Sequence, residues 1–97
     1  MLDLQPKYLE MIRTILGDYF PGCEVRAYGS RVLGNAAKYS DLDISIVGSG
    51  KLDRRTLMDL RNAFDESDLP IRVDVHDWHS TSPEFQRIIE ENYILIE

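Results

Sequence analysis

The chain has 97 residues, 43% of them hydrophobic, with 11 Lys and Arg against 17 Asp and Glu for a formal net charge of −6. This is the composition of one ordinary globular domain, which excludes a disordered segment, and its acidic balance argues against broad binding to a phosphate backbone. Cys23 is the single cysteine, so an internal disulfide is excluded, and no apolar run approaches the roughly 20 residues that span a bilayer.

The opening MLDLQPKYLE breaks up any apolar signal core, so the expectation is a cytoplasmic protein without a leader. From Pro6 to Tyr19, the spacing of Tyr8, Ile12, Ile15 and Tyr19, widened by Met11 and Leu16, predicts an amphipathic helix. Pro6 suits its first turn and Pro21-Gly22 stops it. Glu24 to Tyr28 reads as a strand with Cys23, Val25 and Ala27 on one face. Cys23 reads as a small core residue, because no neighbouring cation would make it a thiolate.

Gly29-Ser30 closes that strand and opens a short helical turn over Arg31-Val32-Leu33-Gly34, with Gly34 and Asn35 as exits. A helix N-terminus offers backbone N–H groups to an anion, and glycine allows close approach of phosphate, although taken by itself the Gly-Ser step reads better as an ordinary turn. Arg31 reads either as a phosphate contact or as a solvated surface arginine, while Tyr39 and Ser40 shape the following loop.

Asp41 to Val47 is the second predicted strand. Side chains alternate along a strand, so Asp41, Asp43 and Ser45 share one face, and Leu42, Ile44 and Ile46 share the other. Carboxylates about 7 Å apart on an apolar backing can share a hard cation such as Mg²⁺. A capping aspartate would explain one acid near a strand start, but not a second on the same face.

After the turn Gly48-Ser49-Gly50, residues Asp53 to Glu66 predict a helix capped by Asp53, with Leu57, Met58, Leu60, Ala63 and Phe64 on its apolar face. Arg54, Arg55 and Arg61 read as solvated, or as paired with nearby acids. Ile71 to Val75 alternates as a third strand, with Ile71, Val73 and Val75 on one face and Arg72, Asp74 and His76 on the other. Beside the second strand, Asp74 would join the acids there; otherwise it would pair on the surface with Arg72 or Arg26. His76 reads as a polar-face histidine or a metal ligand, Asp77 as a turn acid and His79 as loop. Trp78 would fill the core or an interface, or stack on a base. Ser82-Pro83-Glu84 starts a last helix with Phe85, Ile88, Ile89 and Tyr93 turned inward. Tyr93-Ile94-Leu95-Ile96 fits a helix end, an added strand or a docking segment.

Gly29-Ser30, ten intervening residues, Asp41-Leu42-Asp43 and a later strand carboxylate resemble the signature of the nucleotidyltransferase superfamily that includes DNA polymerase β. The length and the wording GSR…KYSDLDI resemble its minimal nucleotidyltransferase (MNT) branch, whose members are antitoxins paired with HEPN-domain toxins. The resemblance implies one domain over residues 1–97 with an α/β (α+β) polymerase β-like fold, a short mixed sheet flanked by helices. It implies Asp41, Asp43 and Asp74 as catalytic residues holding two Mg²⁺ ions, and Gly29, Ser30 and Arg31 as contacts for ATP. The implied reaction is in-line transfer of AMP to a tyrosine of the HEPN toxin, with Asp74 accepting the proton. Nothing in so short a chain could wrap a second substrate, so a large partner must complete the cleft. Two other readings stay open: an antitoxin acting by contact alone, or a transferase that modifies a small molecule or an RNA end with a helical partner subunit.

Overall fold

Alternation in the central strands sorts the molecule into an apolar face and a polar face. The computed structural model describes residues 2, 4–34 and 40–96; Asn35 and Tyr39, read above as loop residues, lie outside the described set. In chain order the described elements are α1 (Pro6–Tyr19), β1 (Glu24–Tyr28), α2 (Ser30–Leu33), β2 (Leu42–Val47), α3 (Arg54–Asp65), β3 (Val73–Asp77), a 3₁₀ turn (Trp78–Ser80), α4 (Pro83–Glu91) and β4 (Ile94–Leu95). The sheet runs β3-β2-β1-β4, with β2 and β3 parallel and the other pairs antiparallel. This is the expected mixed sheet, with β4 settling the open question at Tyr93–Ile96 in favour of an added strand. No described helix is long and apolar enough to cross a membrane.

Register assembles the core. Val25 and Ala27 of β1 lie opposite Ile46 and Ile44 of β2, and Leu42 and Ile44 lie opposite Val73 and Val75 of β3. All are buried, and Ile12 and Leu16 of α1 with Leu57, Leu60 and Phe64 of α3 complete the same cluster. Both helices thus cover one sheet face. Asp53 caps α3 by accepting the Thr56 N–H at 3.0 Å, as its position predicts.

Several expectations need correction. The second strand begins at Leu42, so Asp41 stands just before it and is exposed. The third strand runs Val73–Asp77, two residues later than the alternation of Ile71–Val75 suggested. It starts where Val73 meets Leu42, because pairing with β2 decides its ends. Met58 is 61% exposed, and Phe85 and Ile88 are 41% and 58% exposed, so these apolar residues do not lie inward. On α4 only Ile89 is fully buried. Arg61 is neither simply solvated nor, among the described residues, paired with an acid: its Nη2 donates to the Val75 carbonyl at 2.7 Å on the open edge of β3.

Burial ranks the consequences of substitution. Ile44→Ala, at the fully buried centre of β2, should cost about 3 kcal/mol in denaturant unfolding, whereas Met58→Ser should stay within about 0.5 kcal/mol. Equal losses would contradict the placement of α3.

Candidate functional site

The polar face of the sheet is built in rows. Tyr28 lies opposite Asp43, which lies opposite Asp74; one row on, Arg26, Ser45 and His76 are aligned in the same way. The apolar backing of Leu42, Ile44 and Ile46 is what holds Asp43 outward, since a strand cannot bury both faces of successive residues in one core. The parallel pairing of β2 with β3 then sets Asp74 beside it.

Ligand atoms of Asp43, Asp74 and His76 lie within 4.8 Å of one another. His76 Nε2 stands 3.2 Å from an Asp74 carboxylate oxygen. Burial raises the pKa of Asp43, as does the charge of Asp74; His76 opposes the rise and Asp41 adds to it. Tyr28 is pushed well above the ordinary phenol range, first by burial and then by Asp43 and Asp74. The site therefore concentrates negative charge that the protein itself leaves under-compensated, and its donor set fits a hard divalent cation. Carboxylate oxygens suit Mg²⁺ better than an imidazole does, so His76 is placed to orient Asp74.

Gly29 sits against this cluster. Its φ of 85° and ψ of −158° fall where essentially only glycine is found. A Cβ added there would lie 2.6 Å from Asp43 Oδ2. The glycine is thus needed for Asp43's carboxylate to stand where it does. Ser30 then opens α2, and Gly34, at φ 85°, ends it. Arg31 is only 6% exposed, which excludes a solvated surface arginine. Its Nε donates to the Ser40 carbonyl at 2.9 Å, next to Asp41.

The structure therefore brings Asp43, Asp74 and Gly29 together. It places Asp41 at the mouth of the strand, outside the group of mutually close ligand atoms but near enough to raise the pKa of Asp43. Arg26 pairs with Glu24 at 2.6 Å and stacks on Trp78 and Tyr93, each ring centroid 4.7 Å away. The surface pairing of Asp74 with Arg26 is accordingly not seen. Trp78 is the platform for this arginine. Asp77, read as a turn acid, is buried and accepts from the N–H groups of Leu52 and His79 and from the Ser80 hydroxyl. Tyr28 was missed, although alternation from Glu24 puts it on the polar face. Its ring is 6.2 Å from His76 and edge-on to Phe85 at 5.8 Å.

Comparison with known proteins is consistent with this geometry. The family model described as "Nucleotidyltransferase domain" matches residues 9–96. "Probable protein adenylyltransferase MntA" of Haemophilus influenzae is 46% identical over 96 residues, spanning 99% of this chain and 84% of that protein. A toxin–antitoxin structure with AMP-PNP matches with a TM-score of 0.77 at 23% identity, covering 92% of this chain and 72% of that one. A tri-AMPylated Shewanella oneidensis HEPN toxin in complex with its MNT antitoxin matches with a TM-score of 0.72 at 22% identity, covering 97% and 72%. At such identities the structural matches speak for the fold.

The charge balance gives a prediction with a definite sign. A carboxyl whose pKa the fold raises is disfavoured when ionised, so its contribution to stability falls as pH climbs from the ordinary carboxylate range through the raised value. Asp43→Asn should therefore raise the melting temperature of the metal-free domain at neutral pH by about 3 °C. Mg²⁺ should stabilise the parent more than this variant. Gly29→Ala should instead destabilise the fold by about 2 kcal/mol. A neutral Gly29→Ala, or a destabilising Asp43→Asn, in thermal melts would contradict the geometry.

Proposed function

The chain belongs to the nucleotidyltransferase domain family, and from that membership we propose that it transfers AMP from ATP to a tyrosine hydroxyl of a partner HEPN ribonuclease toxin, acting as its antitoxin. The observation that carries the proposal is the placement of Asp43 opposite Asp74 with Gly29 packed against them. The relative named as a protein adenylyltransferase and the complex described as tri-AMPylated support the same reaction.

Asp41, Asp43 and Asp74 would hold two Mg²⁺ ions together with the nucleotide. When bound, the ions lower the pKa of the attacking hydroxyl and neutralise charge on the attacking and leaving oxygens. Gly29 and Ser30 bind the triphosphate through backbone N–H groups at the start of α2 and the serine hydroxyl. Arg31 supports this cradle by tying Ser40 in place beside Asp41. Asp74, oriented by His76, accepts the proton from the tyrosine hydroxyl. The partner supplies the acceptor and closes the cleft from solvent.

Intact-mass spectrometry of the partner, incubated with this protein, ATP and Mg²⁺, tests the proposal. The parent should add one AMP mass per event. Asp41→Asn/Asp43→Asn should slow transfer about a thousandfold or more while co-purification with the partner survives. A parent that silences the toxin without adding mass, matched by a double variant that does the same, would favour neutralisation by contact instead.

A further inference from the structure

Between the end of β3 with its following turn and α3 lies a groove of about 590 Å³ whose walls include Lys51, Arg54, Arg61, His76, Ser80 and Thr81. It gathers cations in a chain whose net charge is −6. Lys51 and Arg54 are exposed, and neither is in an ion pair among the described residues. Arg61 is fixed at the groove by its hydrogen bond to the Val75 carbonyl. The one acid in the lining, Asp77, has both carboxylate oxygens occupied by Leu52, His79 and Ser80. His76 belongs to both the groove and the acid cluster, so the groove is continuous with the candidate site.

The direction of the reaction gives this position meaning. In an in-line displacement the attacking and leaving oxygens lie on opposite sides of phosphorus. Gly29 is on the β1 flank of Asp43, while Asp74 and the groove are on the β3 flank. If pyrophosphate leaves toward Gly29-Ser30, the acceptor must approach from the groove. A tyrosine-bearing segment with flanking carboxylates matches the charge of Lys51, Arg54 and Arg61.

We propose that this groove is the docking site for an acidic segment of the protein substrate, the segment that carries the acceptor tyrosine. The inference rests on the transferase reading for its chemistry, but it can be tested by binding alone. Lys51→Glu/Arg54→Glu reverses two exposed charges outside the acid cluster and the phosphate cradle. Glutamate is also favoured in the first turn of a helix such as α3, so the variant should fold.

The expected result is an association rate with the purified HEPN partner about tenfold lower than the parent's, with a weaker salt dependence. The KM for the partner should rise by a similar factor, and calorimetry should give unchanged affinity for ATP with Mg²⁺. Lys51→Arg/Arg54→Lys should behave like the parent. Unchanged association and unchanged KM would overturn the proposal. So would an equal loss of ATP affinity, which would make the groove a nucleotide site, or tight competition by a short RNA against the partner. If the parent adds no AMP at all, the transferase reading fails, and the association rates by themselves still decide whether the groove docks the partner.

Discussion

The parallel pairing of β2 with β3, in the register that sets Asp43 opposite Asp74, is the constraint on which the rest of the site depends. Like charges directly across a ladder are unfavourable, and burial adds to the strain by raising the pKa of Asp43. What holds the register is on the other face. Leu42 against Val73 and Ile44 against Val75 are buried apolar pairs, and a slip by one residue would turn them into solvent. The apolar face thus enforces an arrangement that the polar face would not adopt unaided. A divalent cation would relieve the repulsion, so metal binding at this site and the cost of the acids to the metal-free fold would have one origin.

The same register organises the surroundings. Gly29 follows β1 and lies against Asp43, where no side chain fits. His76 comes two residues after Asp74, on the same face, and reaches its carboxylate. Asp77, one residue further, returns to the core face and there anchors Leu52 and the 3₁₀ turn. Successive residues of β3 therefore face the acid cluster and the core in alternation. Ser45, between Arg26 and His76, is fully buried, and its hydroxyl has no hydrogen-bond partner among the described residues. It is a polar residue kept one row from the acid cluster, where an apolar one would pack at least as well.

Much of this was legible in the residues. The bounds of α1, β1 and α2 follow from apolar spacing, Pro21-Gly22 and Gly29-Ser30, because local signals are strong there. Alternation put Asp43 and Asp74 on polar strand faces, but it was the resemblance to the nucleotidyltransferases that singled them out, with Asp41, as one site. What alternation could not supply was the partner of each strand. The start of β3 is decided by β2, and the parallel register appears nowhere in local pattern. The surface apolar residues misled for a related reason: helical spacing groups Phe85, Ile88 and Ile89, yet only Ile89 meets the interior. Arg31 was open in the sequence between phosphate contact and surface, because nothing local shows that its guanidinium is buried against Ser40.

The central claim is that Asp43 and Asp74 jointly hold metal beside a nucleotide whose phosphates lie at Gly29-Ser30. Anomalous diffraction from crystals grown with Mn²⁺ and a non-hydrolysable ATP analogue measures this most directly. The account predicts an anomalous peak within about 2.0–2.4 Å of carboxylate oxygens from both Asp43 and Asp74, with the triphosphate at the start of α2. Manganese bound elsewhere, or a triphosphate seated away from Gly29 and Ser30, would contradict it.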